Sequence, residues 1–442
     1  MICLIQNVED YNNDLRVILM AFYMGVKIIT PENIEKKPEL GADITATLVA
    51  EFAEDQTKIW MKDGGPDVEP DIVIDQDYHD RKVFRNILKR AMYRMLSERT
   101  GRVLPWGSLT GVRPVKIAME AVEHGCTDEE IRKLYQETYG ASLDKADAWV
   151  QIARREKALI ETIDERNEYC LYIGIPLCPT RCLYCSFTSY PIGVYKDKVD
   201  AYLDTMEKEM EYIAASYTEK KLVSIYIGGG TPSSISAEQM DRLCSMIEKH
   251  FDLSQVREYT IEAGRPDSTT ADKLQVMKAH GVGRISINPQ TMNGETLKLI
   301  GRAHTPEQAE EAFMRAREAG FDNINMDLIV GLPGEDAEMV KRTLEKVKKL
   351  APESLTVHTL AIKRAAHLKQ EMDKYSFAGD VDEQLSLVGQ AAEELGLAPY
   401  YLYRQKNMAG NLENVGYARH GLECLYNILI MEERTDIIGI GA

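Results

Sequence analysis

The chain of 442 residues has no long block of lysine and arginine, and its 70 acidic side chains outnumber 53 basic ones to give a net charge of −17. This balance argues against a general nucleic-acid or membrane-surface binder, and an anionic substrate would need a local basic pocket. The sequence also lacks any apolar run near the roughly 20 residues that span a bilayer. Its apolar start, residues 1–6, is too short for a signal peptide. We therefore expect a cytoplasmic protein without a nucleic-acid or membrane partner.

Cysteine is scarce, with eight residues in the chain. In a reducing cytosol such residues serve as metal ligands, catalytic groups or buried apolar side chains more readily than as disulfides. Five of them stand singly in the sequence, and we expect each to be an inert buried thiol. These five are Cys3, Cys126, Cys170, Cys244 and Cys424.

The other three cysteines lie within eight residues, in Cys178-Pro-Thr-Arg-Cys182-Leu-Tyr-Cys185. A short loop with this spacing can surround one cubic [4Fe-4S] cluster. Three thiolates would leave one iron without a protein ligand, and a substrate or cofactor can bind at such an open position. Zinc is the alternative, but structural zinc sites usually combine two cysteine or histidine pairs, and no second pair lies nearby in the sequence.

Three domains are predicted from the distribution of apolar residues. Residues 1–165 are predicted to form an accessory α+β domain, with strands at 43–53 and 57–61 and a helix at 81–96. Residues 166–367 contain six short apolar runs that alternate with amphipathic helices, which predicts parallel βα units in a closed or partly closed barrel. Residues 368–442 are predicted to form a small α+β unit with a helix at 381–397 and a strand at 400–405. The six runs are 170–176, 222–227, 258–262, 283–288, 323–329 and 354–360.

Two barrel helices have readable starts, because Ser236 with Gln239 and Thr305 with Gln308 have the spacing of a capping box. In parallel barrels the chemistry gathers at the carboxyl ends of the strands, so the residues that follow the apolar runs are candidate site residues. Glycine and proline there are explained by turns, whereas charged and amide side chains at strand ends usually need a partner. The strand-end residues are Cys178, Gly228, Gly229, Gly230, Thr231, Pro232, Glu262, Gln290 and Asp327.

The cysteine motif resembles that of the radical S-adenosylmethionine (SAM) superfamily, and the resemblance continues through residues 172–367. Four further segments are similar to the oxygen-independent coproporphyrinogen III oxidase family, in the coproporphyrinogen dehydrogenase branch that has a long N-terminal domain. These segments are 104–111, 260–267, 354–364 and 403–411. The resemblance implies an α/β fold with a partial (β/α)6 TIM-like barrel, a [4Fe-4S] cluster on Cys178, Cys182 and Cys185, and one SAM, or two as the family suggests.

The resemblance also implies roles for individual side chains. Residues 228–232 would approach the SAM amino group, Tyr184 would contact the adenine, and Arg302 would pair with the SAM carboxylate. A guanidinium fork suits a carboxylate better than an ammonium group does. The remaining cofactor contacts implied by the alignment are Tyr172 before the cluster loop, Glu262 and Gln290 at polar groups of SAM, Asp327 at the ribose hydroxyls, and Ala361 at the adenosine.

The activity implied is the decarboxylation, without oxygen, of two propionates of coproporphyrinogen III to give protoporphyrinogen IX in haem synthesis. A flavodoxin or ferredoxin would reduce the cluster. Well-characterised members of the family carry a fourth cysteine and a histidine where this chain has Phe187 and Gly174. The phenylalanine resembles the haem-chaperone branch, so haem binding without oxidation is an alternative. A haem-modifying radical SAM methyltransferase is a third.

A tetrapyrrole with four carboxylates needs basic side chains near the barrel mouth. The candidates after strand ends or in the C-terminal segment are Arg265, Lys363, Arg364, Arg404 and Lys406. The sequence stops inside an apolar, glycine-rich run, 436–442, that continues in this family. We therefore expect the native protein to extend beyond residue 442.

Overall fold

The computed structural model describes residues 1–23, 25–63, 69–111, 113–363, 365–371, 374–377, 379–404 and 412–441. The chain divides into two units, Met1–Val150 and Gln151–Ala442. The domain limits predicted at residues 165 and 367 remain predictions. No helix among the described residues is long and apolar enough to cross a membrane.

The unit Met1–Val150 contains a mixed five-stranded sheet in the order β2-β1-β3-β4-β5. Its strands are β1 (Ile2–Gln6), β2 (Ile28–Ile29), β3 (Ala46–Phe52), β4 (Thr57–Lys62) and β5 (Ile72–Ile74). Its helices are α1 (Asn12–Phe22), α2 (Pro31–Lys36), α3 (Arg81–Thr100), α4 (Val115–Glu123) and α5 (Asp128–Leu134), while α6 runs over Leu143–Ile160. The two strands and the helix predicted here are confirmed. Phe84, Leu88 and Met92 recur every four residues along α3 and are fully buried, because this spacing places them on one face.

The unit Gln151–Ala442 is built on a nine-stranded sheet, counted over the described residues, in the order β14-β15-β13-β12-β11-β10-β9-β6-β16. Its first strands are β6 (Glu168–Ile175), β9 (Lys221–Gly229), β10 (Glu258–Gly264), β11 (Arg284–Ile287), β12 (Ile324–Val330) and β13 (Ser354–Thr359). These six match the six apolar runs and pair in parallel, each with the next. The predicted α/β fold with a partial barrel is confirmed.

Helices follow the strands as the alternating pattern requires. They are α7 (Ile192–Tyr195), α8 (Val199–Ser216), α9 (Ala237–His250), α10 (Ala271–Ala279), α11 (Gly294–Leu299), α12 (Pro306–Glu318), α13 (Ala337–Leu350), α14 (His367–Gln370), α15 (Val381–Glu394) and α16 (Leu425–Glu432). Both predicted capping boxes are present at the starts of α9 and α12. Ile225 and Ile285 on the strands belong to one apolar core with Leu243 of α9 and Phe313 of α12. The strands are therefore covered by helices on their outer face, and the side chains between these isoleucines face the barrel interior.

The C-terminal elements extend the barrel sheet at both edges. Strands β14 (Ala398–Tyr403) and β15 (Asn414–Ala418) add in antiparallel fashion beside β13, and β16 (Asp436–Ile440) adds in parallel beside β6. The strand predicted at 400–405 is observed two residues earlier, and its last predicted residue lies outside the described residues. A short pair, β7 (Leu177–Cys178) and β8 (Tyr190–Pro191), stands apart from the large sheet.

Candidate active site

A cavity of about 710 Å³ lies where the carboxyl ends of the barrel strands meet. Its lining residues all belong to the unit Gln151–Ala442. Most cofactor residues predicted from the sequence line it, whereas Gly228 and Pro232 are absent from its described lining. The predicted residues that line it are Tyr172, Cys178, Cys182, Tyr184, Cys185, Gly229, Gly230, Thr231, Glu262, Gln290, Arg302, Asp327 and Ala361.

The loop that carries the three cysteines, residues 178–185, is called the cluster loop, and main-chain hydrogen bonds fix it. The Leu183 N–H donates to the Ile300 carbonyl at 2.9 Å, and the Cys185 N–H donates to the Cys182 carbonyl at 3.1 Å. Burial raises the pKa of the Cys178 and Cys185 thiols. Because metal ligation requires the thiolate, bound iron and nearby donors must offset this burial.

The thiols have two such donors. The Thr231 hydroxyl donates to Cys178 Sγ at 3.4 Å, and Arg265 Nη1 lies 3.9 Å from Cys182 Sγ. No group of three histidine, cysteine or carboxylate side chains within the described ranges is arranged to hold a single metal ion. In a [4Fe-4S] cluster each thiolate binds a different iron atom, so the thiols need not converge on one point. Three cysteines on one fixed loop, with a hydroxyl and a guanidinium as donors, fit such a cluster.

Arg265 does not lie free at the barrel mouth, contrary to the expectation from the sequence. Its side chain is 3 % exposed and binds Asp267 through two hydrogen bonds of 3.0 and 2.9 Å. A third hydrogen bond, of 2.9 Å, goes to the hydroxyl of Thr180 in the cluster loop. Arg265 therefore holds the cluster loop against the end of β10.

The glycine-rich segment at the carboxyl end of β9 packs against the cluster loop. The Gly230 N–H donates to Ile175 O at 2.8 Å, and the Thr231 N–H donates to Leu177 O at 2.7 Å. A Cβ on Gly230 would lie 2.7 Å from Leu177 O and 3.0 Å from Cys178 Sγ, so a side chain has no room there. Gly228 likewise leaves room for the Glu262 side chain, because a Cβ at Gly228 would lie 3.2 Å from a carboxylate oxygen of Glu262.

Glu262, near the carboxyl end of β10, is a cavity carboxyl group with a raised pKa. It accepts a hydrogen bond of 2.6 Å from the Tyr226 hydroxyl. Burial raises its pKa to about 7, and the neighbouring Asp327 carboxylate adds to this rise, while the Tyr226 hydrogen bond opposes it. Glu262 can therefore gain or lose a proton near neutral pH.

Asp327 lies in the middle of β12, so its prediction as a strand-end residue is wrong, and Gln290 lies just after the neighbouring β11. Asp327 accepts a hydrogen bond of 2.7 Å from the Asn325 amide and lies 3.8 Å from the His358 ring. Gln290 has φ of +68°, and its main chain bonds to β12 on both sides, through the Asp327 carbonyl and the Ile329 N–H, each at 2.9 Å. Its buried Oε1 has no partner among the described residues. Two main-chain hydrogen bonds thus hold the left-handed conformation of this cavity-lining residue.

Arg302 follows Ile300 and Gly301, whose carbonyls contact the cluster loop, and it is 8 % exposed. Its Nη1 donates to the Asn288 carbonyl at 3.0 Å, and its Nη2 donates to the Tyr184 hydroxyl at 3.3 Å. Its Nε has no partner within the described part of the chain. Two hydrogen bonds thus hold the guanidinium in place, and they use two of its five N–H groups.

Several lining residues were not predicted from the sequence. Arg284, Ser286 and Asn288 alternate along and just after β11, and their period of two inside an apolar run would have indicated an inward polar face. Tyr426 of α16 also lines the cavity, and its ring stacks on that of Tyr226 with centroids 4.5 Å apart.

Helix α16 is positioned by a carboxylate from a distant strand. Glu258, the first residue of β10, accepts hydrogen bonds from the main-chain N–H groups of Leu425 at 2.6 Å and Tyr426 at 3.2 Å. A carboxylate at a helix N-terminus satisfies donors that the helix leaves unpaired. This long-range contact has no local sequence signal.

The five single cysteines are absent from the described lining of the cavity. Cys3, Cys170, Cys244 and Cys424 are buried, and burial raises the pKa of each, as expected for inert thiols. Cys126 is only partly buried, so the expectation of a buried thiol is wrong for this residue.

The other predicted substrate cations have different environments. Lys363 lines the cavity. Arg404 is 5 % exposed, and burial lowers its pKa to about 10, so it is not a surface cation. Arg364 and Lys406 lie outside the described residues.

A family model and individual relatives both relate this chain to radical SAM proteins. A model described as the radical SAM superfamily matches residues 172–347. The chain is 42 % identical over 374 residues to the "oxygen-independent coproporphyrinogen-III oxidase-like protein HemZ" of Bacillus subtilis, covering 83 % of this chain and 75 % of that protein. It is 38 % identical over 192 residues to the haem chaperone HemW of the same species, covering 43 % of this chain and 50 % of that one.

A solved structure agrees. Coproporphyrinogen III oxidase (HemN) from Escherichia coli, described as a radical SAM enzyme, matches with a TM-score of 0.51 and 25 % identity, over 65 % of this chain and 66 % of that one. The chain therefore spans three quarters of HemZ, about two thirds of HemN and half of HemW.

Proposed function

Because the chain belongs to the oxygen-independent coproporphyrinogen III oxidase family of radical SAM proteins, we propose that it decarboxylates two propionates of coproporphyrinogen III to give protoporphyrinogen IX. The observation that carries this proposal is the convergence of Cys178, Cys182, Cys185, Glu262 and Arg302 on one cavity. The named relatives HemZ and HemN support the tetrapyrrole substrate.

Radical SAM proteins use a [4Fe-4S] cluster and SAM, and these groups would supply a radical that removes a hydrogen atom from the propionate β-carbon. Loss of carbon dioxide would then leave one electron per propionate, which a one-electron acceptor outside this chain would take up. In this chain Cys178, Cys182 and Cys185 would hold the cluster. Gly229 and Gly230 line the cavity beside the cluster loop, and the methionine part of SAM would lie against their bare backbone.

Arg302 would bind the SAM carboxylate, because its buried guanidinium has a donor to spare and is already fixed by Asn288 and Tyr184. Asp327 would accept hydrogen bonds from the ribose hydroxyls. Ionised Glu262 would accept a hydrogen bond from the SAM amino group. A cation bound beside Glu262 would lower the raised pKa of this carboxyl group. A flavodoxin or ferredoxin is the proposed electron donor.

The test is anaerobic incubation of the reconstituted protein with SAM, a reductant and coproporphyrinogen III, followed by mass spectrometry of 5'-deoxyadenosine and the porphyrins. We expect protoporphyrinogen, and its loss in Cys182→Ala. The matched control is Cys126→Ala, a thiol outside the described lining of the cavity. Deoxyadenosine without any change in the porphyrinogen would contradict the proposed substrate.

A second candidate is haem binding without oxidation. Two observations favour it: Phe187, beside the cluster loop, is 66 % exposed, and one relative is named a haem chaperone. This candidate predicts one haem bound per chain and no loss of carbon dioxide from coproporphyrinogen. Haem titration followed by absorbance, on the same preparation used for the decarboxylation assay, separates the two functions.

A further inference from the structure

The cavity is locally basic in a strongly acidic chain. The chain carries a net charge of −17, yet the described cavity lining contains more cationic than carboxylate side chains. The cations are Arg181, Arg265, Arg284, Arg302 and Lys363, and the carboxylates are Glu262 and Asp327. A basic cavity in an acidic protein concentrates anionic ligands at that point.

Three of these cations are buried and already have partners within the fold. Arg265 is paired with Asp267, and Arg302 is fixed beside Tyr184. Arg284, at the amino end of β11, is 3 % exposed and donates to the Ser354 hydroxyl at 3.3 Å. These three cations therefore lie within the fold and are unsuited to reach a ligand at the mouth of the cavity.

Arg181 and Lys363 differ from the other three because neither side chain is buried, Arg181 being exposed and Lys363 half-buried. Arg181 is exposed, and its Nη2 donates to the Ala365 carbonyl at 3.1 Å. That bond ties the cluster loop to the segment after β13, which carries Lys363. The two cations therefore lie on adjoining segments at the rim of the cavity.

An exposed aromatic ring lies beside them. Phe187 lines the cavity with 66 % of its surface exposed, and Lys363 Nζ lies 5.8 Å from the centroid of its ring. Phe187 follows Cys185 by two residues, which places it next to the cluster loop. When a ligand covers a large apolar side chain that faced water at the mouth of a cavity, the burial of that surface favours binding.

We propose that Arg181, Phe187 and Lys363 form a substrate platform, in which Phe187 contacts the macrocycle of a carboxylated tetrapyrrole while Arg181 and Lys363 bind its carboxylates. The assignment rests on the proposed function for the choice of ligand. An apolar ring system edged by carboxylates matches an aromatic side chain with cations beside it.

The test measures binding of two probes to the cluster-loaded protein with SAM present, under anaerobic conditions. The probes are coproporphyrin III and its tetramethyl ester, which has the same ring system with neutral side chains. We expect the double variant Arg181→Gln/Lys363→Gln to bind coproporphyrin III about tenfold more weakly and the ester unchanged. Phe187→Ala should weaken both probes, by about tenfold.

Two matched variants control for loss of charge and loss of an exposed ring elsewhere. Lys349→Gln removes an exposed cation on α13, and Tyr212→Ala removes a ring on α8 that is 75 % exposed. Both should bind the two probes as the wild type does. Iron content is measured for every variant, so that binding is compared at equal cluster loading.

The outcomes separate the platform from the proposed function. If the wild type decarboxylates coproporphyrinogen but the platform variants keep its affinity and its KM, the function stands and the platform is wrong. If the platform variants lose probe affinity as expected but the wild type decarboxylates nothing, the platform stands and the function is wrong. A wild type that binds neither probe, or binds acid and ester equally in all variants, overturns the platform.

Discussion

Gly230→Ala is the substitution whose effect on the cluster site follows most directly from distances. The added Cβ would lie 2.7 Å from the Leu177 carbonyl oxygen, 2.9 Å from the Leu177 nitrogen and 3.0 Å from Cys178 Sγ. Two of these atoms belong to the backbone of β7, so relief of the contact requires β7 to move. Movement of β7 displaces the first cluster cysteine.

The magnitude can be estimated from the packing. Overfilling a closely packed site costs about 1–3 kcal/mol, and Gly230 has no positive φ that would add backbone strain. We expect the free energy of unfolding to fall by this amount. We also expect the variant to bind less iron than the wild type, because a ligand displaced by about 0.5 Å already leaves the productive geometry of a preorganised site.

Gly283→Ala is the matched control, since a Cβ there would meet nothing within 4 Å. The assay is iron and acid-labile sulfide per chain after anaerobic reconstitution, together with urea unfolding. Normal iron content and an unchanged unfolding midpoint in Gly230→Ala would refute the view that the glycine-rich segment sets the position of the cluster loop.

Three further predictions concern the charged groups of the site. Burial raises the pKa of Glu262 from its ordinary 4.5 to about 7. Between these pH values the folded state holds a proton that the unfolded state has released, so the free energy of unfolding should fall by about 3 kcal/mol as the pH rises from about 4.5 to about 7. Urea titrations at several pH values should show this fall in the wild type and not in Glu262→Gln. Arg302→Lys cannot keep both bonds to Asn288 and Tyr184, so SAM affinity measured by equilibrium dialysis should drop about tenfold at unchanged iron content. Glu258→Gln weakens the carboxylate cap of α16 and should lower the free energy of unfolding by about 1 kcal/mol, whereas an unchanged value would contradict a capping role.

Local patterns in the sequence predicted much of the barrel. The six apolar runs correspond to six parallel strands, and the starts of α9 and α12 follow from capping boxes because both signals involve residues only a few positions apart. The three cysteines are likewise recognisable from spacing alone. Polarity near the end of an apolar run indicated Glu262, since parallel strands place their carboxyl ends at one edge. Asp327 also lines the cavity, but it does so from the middle of β12.

Contacts between residues distant in the sequence could not be predicted in this way. The cap on α16 joins Glu258 to Leu425, and the stack on Tyr226 uses Tyr426. Arg265 was expected at the barrel mouth because it follows a strand end, but the carboxylate two residues later captures it beneath the cluster loop. The fate of a charged side chain depends on which partner the fold brings near, and spacing alone does not contain that information.

Isotope transfer tests the central claim most directly. Coproporphyrinogen III carrying deuterium on the propionate β-carbons is incubated anaerobically with SAM, a reductant and the reconstituted protein, and the 5'-deoxyadenosine is analysed by mass spectrometry. The account predicts deuterium in the 5'-deoxyadenosine together with protoporphyrinogen, and neither product in Cys182→Ala. Unlabelled 5'-deoxyadenosine with intact coproporphyrinogen would contradict it.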